Sequence, residues 1–455
     1  MELNNPKTIN GWCMYDWANS VYSLVITSAI FPVYFNSITT TEDGYDKVDF
    51  FGLTITNSVL YSYSLSFSFL FVAIILPLLS GIADYSGRKK LFMKCFMYLG
   101  AFSCIGLYFF NGPEDVDLAI ICSILASVGY SGSLVFYDAF LPEIVTEDRL
   151  DKTSAKGYAL GYIGSVLLLV VNLVMIEYHD AFGFAEGQTA VRFSFLLVGA
   201  WWILFSQITF SRVPDNVYNQ QPKGNILTEG YNELLKVWNS LKGLSVMKLY
   251  LVAFFFYNMG VQTVMYLAAT FGSKELKLES SKLIMTVLLI NIVAIFGAYF
   301  FAYVSKIRGN KASLLIMVFV WILICLGAYF VYNEYEFYVL AFVVGLVMGG
   351  IQSLSRATYA KLIPKGSIDH ASYFSFYDVA FNISIVFGTF AYGLIEQITG
   401  DMRNSTLALM LFFMVGMGFL LLIRVPMHRV IKLDELDALD KYSFVKKDDR
   451  RDSQK

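Results

Sequence analysis

The stretch "LSGIADYSGRKKLF", residues 79–92, separates two long apolar runs, 58–83 and 91–111. Gly87 allows a tight reversal between helices. Asp84, Arg88 and Lys89 set an acid and two bases beside the helix ends, where they can pair with each other and with terminal backbone groups. An ordinary basic turn needs only the cations. The carboxylate three residues before Gly-Arg-Lys is the added feature.

Working outward, the same alternation of apolar run and short polar break fills the chain. Of 455 residues, 56% are hydrophobic and only 15% charged, whereas a soluble domain carries about 25% charged residues. Twelve runs stand out: 12–37, 58–83, 91–111, 117–141, 155–178, 192–212, 247–272, 281–305, 312–332, 337–360, 371–398 and 405–425. Each is long enough to cross a hydrocarbon core of about 30 Å as an α-helix. The residue alternation of a membrane β-barrel is absent. The first run lacks a short apolar core with a small-residue cleavage site, so it reads as an uncleaved helix.

With the N-terminus placed inside, the inner segments hold 28 of the 34 Lys and Arg residues and the outer loops hold 6. That bias puts both termini in the cytoplasm. The basic residues follow the inner membrane face, where anionic lipid attracts them, so no nucleic-acid surface is expected. Net charge is −2. Cys13, Cys95, Cys104, Cys122 and Cys325 are scattered, without disulfide or metal spacing, and read as packing residues.

One long connection, 213–246, divides six helices from six. It opens with the Pro/Asn/Gln-rich "RVPDNVYNQQPKGN". Leu227, Tyr231, Leu234, Trp238 and Leu241 then recur at helical spacing, as in a helix lying on the inner interface. The expected organisation is a bundle at 1–212, a cytoplasmic linker at 213–246, a second bundle at 247–425 and a polar tail at 426–455. The halves are weakly similar: "YDAFLP" at 137–142 and "YAKLIP" at 359–364 each place Tyr five residues before Pro. Internal repeats of this kind put a substrate path between the halves.

Asp84, Gly87, Arg88 and Lys89 resemble the core of the inner loop of the major facilitator superfamily, Gly-x-x-x-Asp-x-x-Gly-Arg-Lys/Arg. Ser80 replaces the first glycine, and the second-half loop "AYVSKIRGNK" (302–311) has Lys306 where Asp would stand. The stretches "YDWANSVYSLVITSAIFPVYF" (15–35), "FYDAFLPEI" (136–144), "SAKGYALGYIGSVLLLV" (154–170), "GGIQSLSRATYAKLIP" (349–364) and "SYFSFYDV" (372–379) are similar to the vacuole effluxer-like branch. That branch includes bacterial members once grouped as an unknown major facilitator family, and its fungal members are vacuolar amino-acid exporters. The resemblance implies an all-α membrane protein with twelve transmembrane helices in two pseudo-symmetric six-helix bundles. Some members carry an acid–base pair after "FYDV"; here Phe381 and Asn382 occupy those positions.

Polar side chains inside these runs are costly, about 2.5–3.5 kcal/mol for a central charge, and so are candidate cavity residues. In the first run Asp16, Ser20, Ser23 and Thr27 share one α-helical face, flanked by Asn19. Counting back from Phe35 puts Asp16 at the membrane edge, in a gate with Asp84, Gly87, Arg88 and Lys89, and leaves Asn19 and Ser23 for the cavity. Further cavity candidates are Tyr61, Tyr137, Asp138, Asn258, Gln262, Gln352, Arg356, Asp378 and Asn382. Arg356 cannot shed its charge. It either meets a carboxylate or snorkels to the inner surface. Asp138 and Asp378 could pair with it, bind a substrate amine, carry a coupling proton or form a structural salt bridge. Glu143 and Lys361 read as gate or surface charges. Small polar residues, and Gly157, Gly161 and Gly164, also suit helix packing.

The expected function is secondary transport of a small metabolite by alternating access, with an amino acid and proton-coupled export preferred. A monomer in the bacterial inner membrane, in contact with lipid and carrying no cofactor, would suffice. An exporter of lipophilic compounds is the same-class alternative; a receptor or membrane enzyme is the alternative of another class. His179, His370 and His428 form no metal spacing, and no nucleotide-binding loop occurs.

Overall fold

The computed structural model describes residues 2–41, 46–222, 224–399 and 402–423. Among them are twelve helices long and apolar enough to cross a membrane. In order they are Pro6–Thr39, Asn57–Ser86, Lys89–Phe109, Pro113–Ile144, Glu147–Glu177 and Gly187–Arg212. The second set is Ser245–Ala268, Ser281–Arg308, Asn310–Tyr329, Glu334–Leu362, His370–Thr399 and Met402–Leu422. The expected tail, 426–455, lies outside the described residues.

Packing repeats between the two sets. The first span packs on the fifth and sixth as the seventh packs on the eleventh and twelfth, and the third packs on the fourth and sixth as the ninth does on the tenth and twelfth. The halves meet by the same rule: the fifth span lies against the eighth and tenth, and the eleventh against the second and fourth. This two-fold pattern is the architecture expected from the sequence.

Glycines set the closest approaches. A methyl group on Gly164 would lie 2.8 Å from the Trp17 carbonyl oxygen, and one on Gly161 would lie 2.5 Å from Ser20 Oγ. The fifth span therefore packs backbone-close on the first, the packing role expected of these residues.

Two local features depart from the sequence reading. A two-residue loop, Phe51-Gly52, joins strands Lys47–Phe50 and Leu53–Thr56 in an antiparallel hairpin between the first two spans. Both loop residues have positive φ, as tight hairpins require. The first span changes winding: Pro6–Val21 is α-helical, Tyr22–Ile30 follows the wider π pattern, and Phe31–Thr39 returns to α. Ser28 Oγ donates to the Ser23 carbonyl, five residues back, at 2.9 Å. This widening rotates the polar stripe, so Ser28 rather than Thr27 follows Ser23 on the face directed at the centre.

The linker helix, Ile226–Gly243, is amphipathic as expected. Leu227, Tyr231 and Trp238 are exposed, while Gly230, Val237 and Leu241 are buried. A methyl on Gly81 would sit 2.2 Å from the Gly230 carbonyl oxygen, so this helix lies directly on the second span. It also reaches the eleventh: Lys236 pairs with Asp369 at 2.9 Å and Ser240 meets Tyr373 at 2.8 Å.

Candidate transport site

The face that carries the 79–92 loop, here the basic face, is closed by contacts between the halves. Gly87 ends the second span in the left-handed conformation, φ 67°, and turns the chain into the third. Asp84, fully buried, accepts the Ser372 and Ala371 backbone N–H groups at 2.7 and 3.2 Å. A carboxylate is favoured there because the eleventh helix presents unsatisfied N–H groups at its start. Lys89 binds Glu143, which also meets His370 Nδ1 at 3.0 Å. Arg88 is exposed and forms no side-chain bond among the described residues, so Lys89 is the base of this cluster.

The second half supplies a counterpart with its polarity exchanged. Asp151, near the start of the fifth span, accepts from Ser305, Asn310 and Lys361 at 2.9, 2.9 and 2.7 Å. The acid missing from the 302–311 loop is thus provided by the opposite half. Lys306 is exposed, while Glu143 and Lys361 are buried.

Deeper still, Arg356 crosses between the halves. Its Nη1 donates to Asp138 Oδ1 at 3.0 Å, Nη2 to Asp16 Oδ2 at 3.1 Å and Nε to Ser154 Oγ at 2.9 Å. Tyr137 donates to Asp16 Oδ2 at 2.8 Å, and the guanidinium lies 4.3 and 4.8 Å from the Tyr158 and Trp12 ring centroids. Every part of this cation is engaged, and only 2% of it is exposed. It does not snorkel. Asp16 is buried within this cluster. Because the helix starts at Pro6, capped by Asn5, Asp16 is ten residues inside. That is about 15 Å from the helix start.

A central cavity opens from this cluster toward the opposite face. It holds about 1500 Å³ of empty space, counting the solvent at its opening. Asp16, Ser20, Ser23, Asp138, Gln262, Gln352, Arg356 and Asp378 line it, with Tyr130, Tyr158, Tyr162, Tyr266 and Tyr377. Tyr162 donates to Gln352 Oε1 at 2.5 Å across the halves. Asp378 Oδ2 has no hydrogen-bond partner among the described residues. Asp378 does not pair with Arg356.

Residues 4–432 match the family described as vacuole effluxer Atg22 like. The chain belongs to that family. The Bacillus subtilis (strain 168) "Uncharacterized MFS-type transporter YxiO" is 30% identical over 417 residues, covering 91% of this chain and 94% of that protein. Autophagy-related protein 22 of Coccidioides immitis (strain RS) is 23% identical, covering 96% and 89%. Among solved structures, the major facilitator transporter FucP in the outward conformation superposes with a TM-score of 0.68 at 12% identity, over 93% of this chain and 99% of that one. The family is one of transporters, not enzymes.

Within this effluxer-like fold, the remaining candidates lie outside the cavity wall. Asn19 is buried beside it, its Nδ2 without a partner among the described residues. Tyr61 donates to the Thr27 carbonyl at 3.3 Å, beside the widened segment of the first span. Tyr137 lies beneath Asp16, stacked on Trp12 at 4.4 Å. Asn258 binds Ser384 at 2.7 Å, and Asn382 bonds back to the Asp378 carbonyl at 2.8 Å. Tyr61, Tyr137 and Asn258 thus bond to neighbouring spans, whereas Asn382 Oδ1, like Asn19 Nδ2, has no partner among the described residues. The sequence reading missed Ser154, which holds Arg356, and the pair Tyr158 and Tyr162. Their four-residue spacing beside Gly157 and Gly161 was the available signal.

Proposed function

We propose that this chain is a secondary transporter of a small amphipathic metabolite, an amino acid being the best fit, working by alternating access in the bacterial plasma membrane with both termini cytoplasmic. The carrying observation is the Arg356 cluster: a cation of one half clasped by two carboxylates of the other, at the floor of a central cavity. Opening the basic face requires that clasp to part. A substrate carboxylate, or protonation of Asp16 or Asp138, can replace one of its partners. Asp378, whose Oδ2 has no hydrogen-bond partner among the described residues, can receive a substrate amine or a coupling proton, because a buried carboxylate oxygen without a partner gains from either. Export follows if solute is released on the face the cavity now addresses. The bacterial relative supports the membrane assignment.

A melting screen on detergent-solubilised protein tests the ligand. A substrate binding only the folded state at 100 times its Kd adds about 2.7 kcal/mol of stability. At least one amino acid should raise the Tm of the wild type and fail to do so in Asp378→Asn. A panel with no stabilising member would remove the substrate proposal. The aromatic wall favours a second reading, a lipophilic substrate. Stabilisation that survives neutralising both Asp378 and Arg356 would select it.

A further inference from the structure

The linker helix, Ile226–Gly243, carries two apolar stripes, and the bundle covers only one of them. Gly230, Val237 and Leu241 are buried and Leu234 is half-buried; a methyl on Gly81 of the second span would lie 3.3 Å from Leu234 Cβ. Leu227, Tyr231, Leu235 and Trp238 form the other stripe, each between 38% and 65% exposed, with Lys242 one turn further on. At 3.6 residues per turn the two stripes stand about 90° apart. The remaining sector is polar, and from it Lys236 and Ser240 bond to the eleventh span. An uncovered apolar stripe with Tyr and Trp in it marks an interaction surface.

Its position decides the partner. Leu78 and Ile74, three and seven residues before Gly81 on the same helical face, are exposed. Exposed apolar side chains inside a membrane span face lipid. The linker helix therefore lies directly beneath a lipid-facing strip of the second span, and Trp238 stacks on Phe376 of the eleventh at 5.6 Å. Lys242 and Lys248 are both exposed, and the bonds they make go to neutral oxygens, Asn239 Oδ1 at 2.9 Å and the Lys242 carbonyl at 2.8 Å. Neither forms an ion pair among the described residues, so each leaves a cation beside the stripe for an outside anion.

We infer that this stripe is a docking surface for the anionic phospholipid leaflet on the basic side of the molecule. Leu227, Tyr231, Leu235 and Trp238 seat at the boundary of head groups and acyl chains, and Lys242 and Lys248 meet phosphate-bearing head groups. The helix then fills the corner between bundle and leaflet, with a partner for each of its three sectors. Because it packs on the second span and bonds to the eleventh, the lipid holds a strap that runs across the two halves where the basic face is closed. The assignment goes beyond the transport reading and stands whatever solute is carried.

Nitroxide accessibility of the full-length protein in lipid nanodiscs tests the surface, with one labelled cysteine at a time in a Cys95→Ser background. Labels on Leu227→Cys, Tyr231→Cys and Leu235→Cys should collide preferentially with oxygen, which concentrates in lipid. Labels on Asn232→Cys and Asn239→Cys, on the polar sector, should collide preferentially with a water-soluble nickel chelate. All five positions are outward-facing, so the label displaces no core side chain. Replacing phosphatidylcholine by phosphatidylglycerol in the discs should raise the oxygen-to-nickel ratio at Tyr231→Cys, and Lys242→Gln with Lys248→Gln should abolish that rise. Nickel preference at all three stripe positions would show that the stripe faces water, as for a soluble protein partner, and would overturn the inference. Labels immobilised and shielded from both reagents would show a protein cover, a second copy or residues 426–455, and would overturn it too. A ratio unaffected by head-group charge would overturn the anionic assignment.

Discussion

Arg356 spends its whole hydrogen-bonding fork on the first half of the molecule, and this fixes what its replacement should do. Arg356→Ala leaves the Asp16 and Asp138 carboxylates buried without their cation. Breaking such a cluster from one side costs about 3–5 kcal/mol. Its Tm in detergent should fall accordingly, well below that of Tyr137→Phe, which removes one hydrogen bond to Asp16 worth about 1 kcal/mol. Asp378→Asn should behave in the opposite sense. It removes a buried charge with an unpartnered oxygen, so the empty protein should melt at the same temperature or higher while losing its ligand-induced shift. A lower Tm for the empty Asp378→Asn protein would show that the carboxylate has a structural partner.

At the scale of elements, the fifth span positions the charge cluster through glycine. A methyl group on Gly157 would lie 2.4 Å from Asp16 Oδ2 and 3.0 Å from Arg356 Nη2. Gly157→Ala should leave helix content unchanged yet lower exchange in proteoliposomes by about 100-fold, the scale of loss from an ångström displacement at a site. Gly393→Ala, with open space around its added methyl, should exchange as the wild type does. The twelve spans were legible in the sequence because a membrane helix needs only length and apolarity, and those are additive along the chain. The winding of the first span was not. Placing Thr27 on the cavity face assumed uniform α spacing, and the π stretch at Tyr22–Ile30 moved Ser28 there instead. Arg356 and its two acids were legible as costly groups, but their mutual contact joins residues up to 340 positions apart, and no periodicity carries that information.

Across the whole molecule, the hydrogen bonds joining the halves cluster on the basic side, from Asp84 and Asp151 up to Tyr162 and Gln352, and the cavity begins where they thin. Alternating access then requires the rim of that face to separate. Glu147 and Lys365 form a partly exposed pair on it at 3.0 Å. Cysteines at both positions, in a Cys95→Ser background, should form a cross-link that abolishes exchange until reductant is added. A cross-linked protein that exchanges freely would mean that this face stays shut during the cycle. The central claim is that a small amphipathic solute passes through the chamber floored by Arg356 and Asp378. Counterflow of labelled amino acids into proteoliposomes tests it most directly. The wild type should show saturable exchange of at least one amino acid, lost in Arg356→Lys and in Asp378→Asn. Absence of exchange across the panel, or exchange undiminished in both variants, would contradict it.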